Sequence, residues 1–155
     1  LSQTALISFA LLTEQLEVYV RQAAWLNTVP EKAKLPRYKT SAAVMPPLRA
    51  GAYLAEILFD IGPAVPAGMG GLVAIRDVDL AAWQSNRDLR LSAWECRTIR
   101  KLSQAYASEA SSASDPKAIA PYVAPKELIP QEQRDKISKA MGDWADKLNQ
   151  GKKRP

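Results

Sequence analysis

Proline placement limits this chain more than any other feature. Of its 11 prolines, Pro30, Pro36, Pro46 and Pro47 fall in one stretch, and Pro116, Pro121, Pro125 and Pro130 recur at near-even intervals in another. Each proline removes a backbone donor and pushes the residue before it away from helical angles. Long helices are therefore confined to the segments between. Those segments are rich in Ala, Leu, Lys and Glu, and the chain has only 7 glycines and 2 phenylalanines, a balance that favours helix over sheet. The one short run with strand character is Leu72-Val73-Ala74-Ile75. The expected class is all-α, a small helical core with amphipathic N- and C-terminal extensions on Pro-rich linkers.

Five regions follow. Residues 1–27 read as an amphipathic helix, with Leu12, Leu16, Tyr19, Ala23 and Leu26 on one face. Phe9, Val20 and Trp25 widen that surface, so the helix must pack on something, either on residues 48–108 of this chain or on a partner. Residues 28–47 are a Pro/Lys-containing linker or arm. Residues 48–108 form the expected core domain. Its first helix starts at Pro47, which suits a first helical position, carries Leu54, Ile57, Leu58 and Ile61, and stops at Gly62. A loop rich in Gly and Pro follows, then a short helix over 78–85 with Asp77 as its cap and Leu80 and Trp83 on one side. Ser92 and Glu95 stand at capping-box spacing and open the next helix, expected to reach Ser108 with Ile99, Leu102 and Tyr106 beneath Trp94. Residues 109–130 are a Ser/Ala/Pro linker. Residues 131–155 are a C-terminal helix and basic tail, with Ile137, Met141, Trp144 and Leu148 in a narrow seam suited to a groove.

Several chemistries are disfavoured from the outset. The chain contains no histidine, which removes His-based metal sites and every nucleophile–His–acid triad. Cys96 is the single cysteine; it cannot form an internal disulfide and reads as a small buried hydrophobe. Asp77, Asp79, Asp88 and Glu95 cluster in sequence, but helix starts attract acids without any catalytic role. The loop Gly62–Gly71 lacks the Lys-Ser/Thr ending of a nucleotide loop and reads as a turn. No catalytic residue, metal or cofactor is expected. The apolar stretch Ala5–Leu12 is too short to span a membrane and meets charge too soon for a signal peptide. A membrane is not an expected partner, and the expected compartment is the cytoplasm.

The net charge of +5 permits nucleic-acid binding without demanding it. Residues 78–108 place Arg87, Arg90, Arg97, Arg100 and Lys101 on a helix, a turn and a longer helix, as a helix-turn-helix DNA reader would. Neighbouring acids dilute that field, and the turn exceeds the usual 3–4 residues. Nucleic-acid binding is kept as the runner-up.

The order of the central motifs resembles a family of small phage tail assembly chaperones. The matching pieces are Tyr53-Leu-Ala-Glu-Ile-Leu-Phe-Asp-Ile61, Gly68-Met-Gly-Gly71, Leu80-Ala-Ala-Trp83, Leu91-Ser-Ala-Trp94-Glu95 and Ile99 to Tyr106. The resemblance covers residues 53–107, about a third of the chain. It implies a non-enzymatic protein of the host cytoplasm that binds tape-measure and major tail-tube proteins and is absent from the finished tail. Residues 1–47 lie outside it, and 108–155 is longer than the family's usual tail. Either extension is a second binding module, or the chain is a structural virion component sharing the small helical core. The partner-binding residues expected are Leu12, Leu16 and Tyr19 on the first helix and Met141, Trp144 and Leu148 on the last, with self-association as a further use of the latter.

Overall fold

The computed structural model describes residues 3–125, together with positions 135, 136 and 139. Five helices and a minimal hairpin make up the described fold: α1 (Gln3–Asn27), α2 (Arg37–Thr40), α3 (Ala52–Ile61), β1 (Val65–Pro66), β2 (Leu72–Val73), α4 (Asp77–Arg87) and α5 (Ala93–Ser112). The class is mainly helical, as the composition leads one to expect. By contact, the chain divides into two units, Leu1–Val123 and Ala124–Pro155, and every element named lies in the first. The expected C-terminal helix, with Ile137, Met141, Trp144 and Leu148, lies outside the described residues.

The core is built where α1 lies along α5, with α3 packed on α5 beside it. Leu16, Val20, Leu54, Leu58, Ile75, Leu80, Ile99 and Leu102 fill it and are almost wholly removed from solvent. Each such side chain contributes roughly 1.5–3 kcal/mol of transfer free energy. Two ion pairs, Lys101 to Glu17 at 2.7 Å and Arg21 to Glu109 at 3.5 Å, run between α1 and α5, with the cations exposed and the carboxylates largely covered. Solvent at the cations limits what such pairs add, so apolar burial sets the packing.

The N-terminal helix is therefore part of the core, not an extension from it. The expected boundary at 28–47 is a packed segment. Arg37 is buried and donates to the carbonyls of Ala113 and, at 2.7 Å, Asp115, while its guanidinium lies 4.7 Å from the Trp25 ring centroid. A cation at the C-terminal end of α5 meets the negative end of that helix, which accounts for a buried arginine that pairs with no carboxylate among the described residues.

Three helix boundaries differ from expectation. α3 starts at Ala52, not after Pro47, because Gly51 in the left-handed region (φ 69°) turns the chain into the helix against Leu12 and Leu16. α4 is capped at Arg76: its amide donates to Asp79 Oδ2 at 2.9 Å, which leaves Asp77 free to pair with Arg100 at 3.0 Å. α5 runs to Ser112, one turn beyond the expected end. Its start is as expected, since Ser92 N donates to Glu95 Oε2 at 2.7 Å and Glu95 N donates to Ser92 Oγ at 3.3 Å. The Gly/Pro loop folds into the hairpin, with Val65 opposite Val73 and Pro66 opposite Leu72. Ser103 ties it to α5 by donating to Pro63 O and accepting from Ile75 N, both at 2.8 Å.

Candidate functional site

α1 carries a second stripe besides the one in the core. Leu11, Gln15, Val18, Gln22 and Trp25 recur at alternating spacings of four and three residues, so they lie along one side of the helix. Its two halves are treated differently. The C-terminal half is covered: Gln22 and Trp25 are buried beneath two irregular segments, residues 41–47 and 118–123. The N-terminal half is open and forms one wall of a groove of about 460 Å³, lined by Leu11, Glu14, Gln15, Val18, Pro46, Pro47, Arg49 and Tyr122.

The groove's walls come from simple causes. Leu11 is more than half exposed although it sits beside the core residue Leu12, because adjacent helical positions diverge by about 100°. Pro46 and Pro47 cannot continue a helix, so they hold residues 41–49 extended along α1. Gln22 fixes the depth of the arrangement. Its side-chain amide donates to Val44 O at 2.9 Å and accepts from Tyr122 N at 3.0 Å, standing in for the peptide group of a strand between two others. A buried glutamine satisfied at both ends avoids the desolvation cost of an unpaired amide. Glu14 and Arg49 give the groove a polar rim of both signs. An open, largely apolar groove of this kind has the form of surfaces that accept an extended peptide.

The residues expected to bind partners on α1 do not reach this groove. Leu16 is fully buried, and Leu12 and Tyr19 pack against the same core. That expectation is corrected: α3 and α5 cover the 12–16–19 face, and the face left over is the 11–15–18 one. Met141, Trp144 and Leu148 lie outside the described residues. The missed residues, Leu11 and Val18, did leave a trace, because with Trp25 they repeat every seven positions.

A second exposed apolar feature is the hairpin tip. Met69 is fully exposed and adopts φ 67° between Gly68 and Gly70, and Leu72 and Val73 on β2 also face solvent. A methionine held outward in the left-handed region is uncommon, and its flexible thioether side chain suits contact with irregular apolar surfaces.

The charged residues are arranged structurally. Asp60 accepts from Trp83 Nε1 and Arg87 Nη2, both at 2.7 Å, and so joins α3 to α4. Glu95 accepts from the Tyr53 hydroxyl at 2.8 Å. Hydrogen bonds from the Ser92 backbone and side chain, then from Tyr53, hold the Glu95 carboxyl below its ordinary range, while partial burial and then Glu95 itself raise the Tyr53 hydroxyl. Hydrogen bonds from Arg76 likewise lower Asp79. Among the described residues there is no group of three or more Cys, Asp or Glu side chains able to hold a metal ion. Half-buried Cys96 borders a shallow cavity with Arg97, Arg100 and Lys101, of which Arg100 and Lys101 are paired with Asp77 and Glu17.

The helix-turn-helix pattern falls on α4 and α5. α4 packs on α3, whereas α5 packs on α1 and α3 and buries much of its length in the core. Arg76, Arg87 and Arg100 are each paired with an aspartate. No helix among the described residues is long and apolar enough to cross a membrane. No family model, curated protein or solved structure matches the chain.

Proposed function

We propose that this chain is a non-enzymatic protein-binding module, and that it serves as a tail assembly chaperone of a long-tailed bacteriophage. The observation that carries the binding part is the open groove between the outer stripe of α1 and Pro46-Pro47, with Leu11, Val18 and Tyr122 available to an incoming chain. The tail-assembly part rests on the resemblance over residues 53–107. In that role the module binds tape-measure and major tail-tube proteins in the host cytoplasm and keeps their apolar segments from premature polymerisation. Exposed apolar grooves bounded by polar rims are the surfaces such work needs.

Co-expression with the tape-measure and major tail proteins of the same genome tests the reading. The expected result is a soluble complex that fails to form when Leu11 and Val18 are both changed to Asp, with the chain itself missing from purified particles. A tape-measure protein that neither binds nor gains solubility contradicts the chaperone role. Stoichiometric presence in particles favours the structural virion component. Tight duplex DNA binding that falls by orders of magnitude between low and moderate salt favours the helix-turn-helix alternative.

A further inference from the structure

The covered half of the α1 stripe already holds an extended peptide, and that peptide belongs to the chain itself. Residues 116–123 run along Gln22 and Trp25 with Ala118 and Ala120 packed inward against Trp25 and Leu26. Their larger neighbours point away: Ile119 is 85% exposed and Val123 75% exposed. Apart from half-buried Pro121 and Tyr122, the burial of the segment rests on two alanines, so it gains only modestly from it. Two hydrogen bonds to α1 hold it, Trp25 Nε1 donating to Ala118 O at 3.1 Å and Tyr122 N donating to Gln22 Oε1 at 3.0 Å. Pro116 and Pro121 have no amide to add further ones.

The residues just before this segment are held far more firmly. Arg37 grips the carbonyls of Ala113 and Asp115, and Glu31 N donates to Ser114 O at 2.8 Å. Asp115 also closes a turn, its carboxylate accepting from Lys117 N at 2.8 Å and its carbonyl from Ala118 N at 3.0 Å, and the lightly held part runs on from that turn. At its far end Tyr122 also lines the open groove, so the covered and open halves of the stripe are one continuous surface. Without the segment, that surface extends from Leu11 to Trp25, about 21 Å at 1.5 Å per residue.

We propose that residues 116–123 are a releasable strap, and that the stripe beneath takes a partner's extended segment in its place. The strap itself indicates the chemistry of that partner. Small side chains alternate with larger ones, and the backbone presents a carbonyl to the Trp25 indole and an amide to the Gln22 side chain. This deepens the protein-binding reading and does not depend on the phage assignment, because its test uses no phage partner.

Native-state hydrogen exchange on the full chain reads the release directly. The Tyr122 amide and the Trp25 indole N–H are expected to exchange together, about 100-fold or more faster than the Leu102 amide in the core of α5. Exchange of all three at one common rate overturns the strap. Docking is read with a fluorescent peptide of residues 116–123. A tethered strap competes at millimolar effective concentration, so Ala118→Arg, which pushes the strap off, should bind the peptide about tenfold more tightly than the unmodified chain. Ala120→Arg provides the same reading if the first variant does not fold, as judged by circular dichroism. A folded variant with no gain in affinity overturns the docking surface, even where exchange supports release.

Discussion

The two faces of α1 are turned about 100° from each other around the helix axis and are buried by different means. The inner face presents Leu12, Leu16, Tyr19, Val20 and Ala23 to side chains of α3 and α5, and it closes a dry core. The outer face presents Leu11, Gln15, Val18, Gln22 and Trp25, and where it is covered, hydrogen-bonded extended backbone and the side chains of Ala43, Met45, Ala118 and Ala120 cover it. Side chain against side chain gives a cover that stays in place, since every atom of it is apolar and tightly packed. Backbone held by an amide and an indole gives one that water can replace, since both partners hydrogen-bond equally well to solvent. A single helix thereby supplies the foundation of the fold on one side and an exchangeable surface on the other.

The sharpest way to break the inner face is to crowd it. A Cβ at Gly51 would lie 3.0 Å from Leu12 Cδ1 and 3.3 Å from Leu16 Cδ1, at a residue with φ 69°. Gly51→Ala therefore combines left-handed backbone strain with overpacking, and it should cost about 2–4 kcal/mol in chemical unfolding. A change below 1 kcal/mol would mean that α1 sits less tightly on α3 than described.

The covered end of the outer face has its own weak point in Arg37. Arg37→Met keeps an unbranched chain beneath Trp25 but removes the charge-assisted bonds to Ala113 and Asp115. The expected loss is about 2 kcal/mol, accompanied by a change in Trp25 fluorescence. Equal stability with unchanged fluorescence would show that the anchor before the strap is dispensable.

A smaller effect marks ground belonging to neither face. The Glu95 and Asp79 carboxyls are both lowered in the folded chain. Their contribution is complete above the unfolded carboxylate value of about 4 and fades as pH falls through the lower folded values. Glu95→Gln should flatten the acid limb of the stability curve by lowering neutral-pH stability slightly while leaving the most acid end nearly unchanged. An acid limb of the same slope in the variant contradicts the assignment of that carboxylate.

How much of this was legible in the sequence depends on what does the covering. The capping box at Ser92 and Glu95, the stop at Gly62 and the core stripe of α5 follow from local rules, and they stand where those rules put them. The start of α3 was misplaced because Pro47 fits a first helical position, whereas the turn belongs to Gly51, whose need for positive φ arises only from the closeness of α1. The proline-bearing segments read as linkers because prolines spoil helices. Nothing local reveals that Gln22, Trp25 and Arg37 bind the backbone of residues distant in sequence. For the same reason the partner residues were placed on the stronger apolar stripe, Leu12, Leu16 and Tyr19. The strongest stripe is the one the chain uses for its own core, and the weaker stripe beside it stays available.

One paired measurement bears on that division most directly: urea unfolding of Leu16→Ala and of Leu11→Asp. The inner-face change should lower stability by about 2–5 kcal/mol, as large-to-small core substitutions do. The outer-face change should stay within about 0.5 kcal/mol of the parent, as surface substitutions do. Comparable losses in the two variants would contradict the account, because Leu11 would then belong to the core and α1 would have no face to spare.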